Sequence, residues 1–218
     1  MTYDSVSDAS RPLLRGYFHL CAAFLAIGGL VVIVLLAGSA RAYVGGTVFA
    51  ASLILLYTTS ATYHRIRWGP RMRSVMRRLD HSMIFVLIAG TYTPFCLLVL
   101  NTAWGISLLS VVWGVAGAGI ALKMAWPSAP RWLGVGLYLT TGWLAVVAST
   151  QIAAWAAAVP LLLLVGGGIL YSLGGVIYAL RRPNLFPRVF GYHEVFHLLV
   201  IAGSALHYSL VAIYLMPG

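Results

Sequence analysis

The chain has 218 residues, of which 61% are hydrophobic and only 8% charged, where an ordinary soluble domain has about a quarter charged. That composition, with a mean hydropathy of +0.93, excludes a soluble fold and points to membrane spans. The net charge of +10 sits on 14 Lys and Arg residues confined to short links between apolar runs, so their expected partners are anionic lipid headgroups and not nucleic acid.

Residues 1–12 are polar and include Asp4 and Asp8, unlike the cationic opening of a cleavable signal peptide. Residues 1–16 are expected to be a short cytoplasmic segment, followed by a single membrane domain over 17–215. A spanning helix needs roughly 20 apolar residues, and the apolar runs predict spans at 17–36, 45–64, 79–100, 103–123, 132–150, 155–180 and 189–215. The fold class is therefore an all-α, polytopic, seven-transmembrane helix bundle in the cell membrane.

Cytoplasmic links retain Lys and Arg, so their distribution orients the bundle. Arg11, Arg15, Arg65, Arg67, Arg71, Arg73, Arg77, Arg78, Lys123, Arg131, Arg181, Arg182 and Arg188 fall on one side of the predicted bundle, and Arg41 alone on the other. A miscounted span would scramble this alternation, so the expectation is a cytoplasmic amino terminus and an outside carboxy terminus. Glycine clusters at 114–119, 166–168 and 174–175 are expected to let helices approach closely. Trp104, Trp126, Trp132 and Trp155 near span ends suit the headgroup layer. Pro94 and Pro160 inside runs are candidates for kinks. Cys21 and Cys96 lack metal-ligand spacing and are taken as packing residues.

Ionisable side chains inside a span cost about 2.5–3.5 kcal/mol or more, so each needs a partner or a function. They are His19, His64, Asp80, His81, His193, Glu194, His197 and His207. His64 ends the second predicted span, Asp80 and His81 open the third, and His193, Glu194 and His197 open the seventh. All six fall in one layer at the cytoplasmic edge, with His19 about one turn into the first span. His207 lies roughly 15 Å deeper than His197 at helical rise and fits a helix-packing group.

His193 and His197, four residues apart, share a helix face as two ligands of one metal must. Ser60 and His64 repeat the spacing. Two histidines from one helix and one from another give the three-ligand shell with an open position used by catalytic zinc. Asp80 is then placed to orient or deprotonate water, and Ser60 to hold it. His81 must point about 100° away from Asp80, toward a neighbouring helix or the interface. His19 is open between packing and support of the site. The run His193-Glu194-Val195-Phe196-His197 also matches H-E-x-x-H, whose Glu is the general base of metalloproteases; no acidic residue follows Glu194 to complete that ligand set.

Several segments together resemble the haemolysin III family, the bacterial branch of the progestin and adipoQ receptor superfamily. They are Ser60-Ala-Thr-Tyr-His64, Arg78-Leu-Asp80-His81-Ser82, Thr91-Tyr-Thr-Pro94, Gly191-Tyr-His193-Glu-Val-Phe-His197 and Ala202-Gly-Ser-Ala-Leu-His207-Tyr208. The resemblance covers essentially the whole chain. It implies a seven-helix fold with an inside amino terminus, zinc held by His64, His193 and His197, and Asp80 and Ser60 at the water-holding positions. The adiponectin receptors carry glutamine where this chain has Glu194, which weakens the protease reading. Their basic amino-terminal domain has no counterpart expected here, so no hormone-receptor role is implied.

The expected function is a zinc-dependent membrane hydrolase acting on a lipid amide or acyl-lipid. The alternatives are the pore-forming cytolysin implied by the family name and a non-catalytic sensor of membrane state with zinc as a structural clamp.

Overall fold

In the computed structural model, which describes residues 12–186 and 188–217, seven helices are long and apolar enough to cross a membrane. They are α1 (Tyr17–Leu36), α2 (Ala40–Arg65), α3 (Pro70–Leu98), α4 (Thr102–Ala125), α5 (Arg131–Trp155), α6 (Ala158–Leu180) and α7 (Tyr192–Leu215). The expected all-α seven-helix bundle is what the chain forms. Residues 1–11, including Asp4, Asp8 and Arg11, lie outside the described residues.

The helix starts follow from local chemistry. Ser39 Oγ accepts the Ala42 N–H at 3.1 Å to cap α2, and Asn101 Oδ1 accepts the Trp104 N–H at 3.1 Å to cap α4, each satisfying a backbone donor that has no partner within the helix. Pro70 opens α3, where its fixed φ is already helical and its missing N–H costs nothing. Short links between these ends make sequence neighbours antiparallel. Buried residues make up 56% of the apolar window in both α2 and α3 but 11% of that in α6, so α2 and α3 form the centre and α6 faces lipid. Gly45 lets α2 meet α3, since a Cβ there would lie 2.9 Å from the Cα of Pro94.

Several boundaries differ from expectation. α3 begins nine residues before the predicted 79, because its first turns carry Arg71, Arg73, Arg77 and Arg78 and have no hydropathy signal. α5 is not continuous: a 3₁₀ segment, Trp143–Ala148, separates α-helical Arg131–Gly142 from Ser149–Trp155. The Tyr92 hydroxyl occupies this break, donating to the Gly142 carbonyl at 2.8 Å and accepting the Ala145 N–H at 2.7 Å. It thereby satisfies backbone groups that a membrane leaves no water to satisfy. α6 starts at Ala158, which places Pro160 in the first turn, so it breaks no helical bond and makes no kink. Pro94 is inside α3.

The glycine expectation holds in part. Gly119 and Gly167 sit at close contacts, against Phe85 and His207, but Gly114 and Gly117 meet nothing within 4 Å. Cys21 is exposed on the outer face of α1 and only Cys96 is buried, so the packing reading applies to Cys96 alone.

The ends of the bundle are chemically different. At one, here the basic end, Leu13 and Leu14 N–H groups bond the Arg188 and Val189 carbonyls at 3.1 and 3.3 Å, and Arg78 Nη1 bonds the Met124 carbonyl at 3.0 Å. At the other, the Gly38 N–H reaches the Met216 carbonyl at 2.9 Å, and the Asn101 N–H reaches Gln151 Oε1 at 3.0 Å. Among the described cationic residues, Arg41 alone lies at the second end.

Candidate metal centre

The last turn of α2 brings His64 to the basic end, and the first turns of α7 bring His193 and His197 to the same level. One nitrogen from each lies within 4.8 Å of the others, and the Nε2 atoms of His193 and His64 are 3.0 Å apart. The ring centroids are separated by 4.7 Å for His64 and His193, 5.3 Å for His64 and His197, and 4.5 Å for His193 and His197. His197 is 1% exposed and its Nδ1 has no hydrogen-bond partner. In a tetrahedral zinc shell, bonds of 2.0–2.1 Å put nitrogens about 3.3 Å apart. The cluster brackets that separation, so three neutral imidazoles here fit a single imidazole-binding ion.

His19 joins them from α1. Its ring stacks on that of His197 at 3.8 Å and 12°, is 2% exposed, and packs 5.1 Å from the Tyr57 ring. Gly16 lets the chain pass this close: its φ is +83°, and a Cβ there would be 2.8 Å from the Cβ of His64, so another residue would be both strained and crowded.

Ser60, one turn before His64, is buried and shares a cavity wall with Asp80, His193 and His197. Its hydroxyl faces the Asp80 carboxylate. The structure thus brings together all five residues singled out in the sequence. The cavity, about 150 Å³, runs between α3, α5, α6 and α7 under walls that include Leu87, Ile88, Leu139 and Val200. A second apolar cavity of about 290 Å³ continues toward the opposite end, and Thr91, Tyr92, Gly142, Trp143, Gly168 and His207 border both.

The remaining polar residues have specific places. His81 turns toward a neighbouring helix, as its position after Asp80 requires. Its Nδ1 lies 2.8 Å from the Arg77 carbonyl, so that nitrogen carries the proton, and its Nε2 accepts the Tyr178 hydroxyl at 2.9 Å. The Tyr138 hydroxyl donates to the His81 carbonyl at 2.9 Å. These two tyrosines were not singled out from the sequence; their one signal was a hydroxyl on a ring deep in a Gly-rich apolar run. His207 donates from Nε2 to the Leu164 carbonyl at 3.0 Å, tying α7 to α6 over Gly167. Glu194 is 0% exposed: Oε2 accepts the Gly191 N–H at 2.8 Å, capping α7, while Oε1 pairs with Arg15. With both oxygens engaged at the helix start, Glu194 is not the base of an H-E-x-x-H protease.

Seven spanning helices with a three-histidine cluster between the second and the last define a multi-pass membrane protein with a candidate metal centre. The family model described as "Haemolysin-III related" matches residues 7–208. The chain is similar to "Hemolysin-3" of Bacillus cereus, 35% identical over 202 residues covering 91% of this chain and 89% of that one. It is also similar to "Hemolysin-3 homolog" of Bacillus subtilis (strain 168), 35% identical over 199 residues and 90% of each chain. "Heptahelical transmembrane protein ADIPOR2" of Oryza sativa subsp. japonica is 28% identical over 185 residues, 77% of this chain and 80% of that one. The protein belongs to the haemolysin III family, within the progestin and adipoQ receptor superfamily, and is a multi-pass cell-membrane protein.

Proposed function

We propose that the protein is a zinc-dependent membrane hydrolase that cleaves an amide or acyl link in a lipid, with the basic end of the bundle facing the cytoplasm. The observation that carries this reading is a three-histidine set, two of whose members, His193 and His197, line an apolar cavity whose wall also carries the carboxylate of Asp80. A purely structural clamp needs no carboxylate at its side and no cavity beneath it.

His64, His193 and His197 hold the ion through neutral ring nitrogens. Zinc bound there supplies Lewis acidity toward a carbonyl and lowers the pKa of water toward about 7. Ser60 positions water beside Asp80, whose carboxylate takes its proton as the oxygen adds to the carbonyl carbon. The proton then passes to the departing nitrogen or oxygen as the old bond breaks. The apolar cavity accommodates part of the acyl chain and keeps bulk water from the carbonyl.

Metal analysis of purified protein, with fatty-acid release from a ceramide-like amide measured with and without chelator, tests this. The wild type is expected to hold one metal per chain and release fatty acid until chelated. His197→Ala should lose both metal and activity, and Asp80→Ala should keep the metal and lose at least about 100-fold in rate, the scale of general-base catalysis. Equal release with and without chelator, or a fully active Asp80→Ala variant, overturns the hydrolase. The non-catalytic sensor gains support from the His64–His193 contact, which joins α2 to α7; it predicts that metal loss uncouples these helices while no lipid is turned over.

A further inference from the structure

At the basic end, three cations from three helices lie around the link between α4 and α5. Arg78 of α3 donates from Nη1 to the Met124 carbonyl at the end of α4, while its Nε is buried with no hydrogen-bond partner. Lys123, next to Met124, lies across α5, where a Cβ on Gly134 would be 2.6 Å from its Nζ. Its Nζ stands 5.9 Å from the centre of the Tyr138 ring. Arg131, one turn before Gly134 on α5, places its guanidinium carbon 5.6 Å from the centre of the Tyr178 ring, and its Nη1 is buried and unpartnered.

Among the described residues no carboxylate forms an ion pair with Arg78, Lys123 or Arg131. The described residues include two, Asp80 and Glu194; Glu194 pairs with Arg15 and Asp80 sits beside His81 at 3.5 Å. Cationic nitrogens removed from water and left unpaired are costly, and three like charges at one corner raise that cost. An anion relieves both terms. Guanidinium forks match the oxygens of phosphate in particular. Trp126 and Trp132, 47% and 71% exposed, flank the corner in sequence and mark the layer where lipid phosphates lie. Tyr138 and Tyr178, under the two cations, also line the cavity, so a phosphate held here belongs to a molecule whose tail has an apolar wall next to it.

We propose that Arg78, Lys123 and Arg131 form a binding site for the phosphate group of a lipid, adjoining the part of the cavity wall made by Tyr138 and Tyr178. The site needs neither metal nor turnover and therefore stands apart from the hydrolase reading. It differs from diffuse attraction between basic links and an anionic bilayer, because Arg181 and Arg182 lie at the same end but are exposed and have no part in it.

The test is the thermal stability of the purified full chain in neutral detergent, titrated with phosphatidic acid, with diacylglycerol of the same chains, and with inorganic phosphate. Phosphatidic acid is expected to raise the melting temperature saturably, and the other two are not. Arg131→Gln and Lys123→Gln should each weaken apparent affinity roughly tenfold, the scale of a lost charge-assisted contact, while Arg182→Gln, the same change in net charge, should leave it within about twofold. His197→Ala should retain the response, so failure of the hydrolase leaves this result intact. Equal losses in Lys123→Gln and Arg182→Gln, or equal stabilisation by diacylglycerol, overturn the site. Stabilisation by inorganic phosphate at the same concentration overturns its assignment to a lipid.

Discussion

Glu194 occupies the one position where a protease signature and a helix cap compete for the same carboxylate. The geometry gives it to the cap: the Gly191 N–H and Arg15 use both oxygens. Glu194→Gln keeps an acceptor for the Gly191 N–H and discharges the pair with Arg15. Because Glu194 is fully buried and Arg15 is 21% exposed, the expected loss is about 1–3 kcal/mol, the range for hydrogen bonds to a charged group. Arg15→Gln should cost less than the two single changes suggest when it is combined with Glu194→Gln, since both remove one interaction. Denaturation of the four proteins measures this, with metal content unchanged throughout; metal loss in Glu194→Gln would place the carboxylate in the site instead. The triad His64, His193 and His197 was legible in sequence because helical spacing and depth in a span are one-dimensional quantities. The stacking of His19 on His197 and the bond from Tyr178 to His81 were not, because they depend on how α1 and α6 rotate about their axes, which near-uniform apolar surfaces leave unmarked.

Among the elements, hydropathy found all seven spans and misplaced their ends wherever the helix is polar. The first turns of α3 are helical because Pro70 starts them and Arg and Met sustain them, yet a search for apolar runs passes over them. That extension has a consequence: Asp80 and His81 lie well inside a helix, rigidly held, and not at a fraying end. The break in α5 left no mark in composition either, since Trp143–Ala148 is as apolar as a regular helix. It is maintained from α3, by Tyr92. Tyr92→Phe removes the partner of the Gly142 carbonyl and the Ala145 N–H together, leaving buried backbone groups that cost about 1–3 kcal/mol each. The expected outcome is a stability loss of that order, with faster amide exchange confined to residues 142–148. Exchange unchanged there would mean that the 3₁₀ segment holds without the hydroxyl.

At the scale of the molecule, the two ends of a spanning bundle face different compartments, and the candidate metal centre lies at only one of them. Arg15, Arg65, Arg67, Lys123, Arg131, Arg181, Arg182 and Arg188 lie in or beside the links at the histidine end, and among the described cationic residues Arg41 is alone at the other. Retention of Lys and Arg in the cytoplasm therefore predicts that the centre faces the cytoplasm and draws substrate from the inner leaflet. The measurement is labelling of single cysteines in intact cells by a membrane-impermeant maleimide, in a background with Cys21 and Cys96 replaced by Ala. Arg41→Cys, exposed at the start of α2, should react before lysis; Arg182→Cys, exposed at the basic end, should react only after the membrane is opened. The converse pattern would turn the centre outward and make the outer leaflet the source of any lipid that reaches Asp80. It would also place Arg78, Lys123 and Arg131 against the outer headgroups, so this labelling fixes which leaflet's lipids belong in both assays.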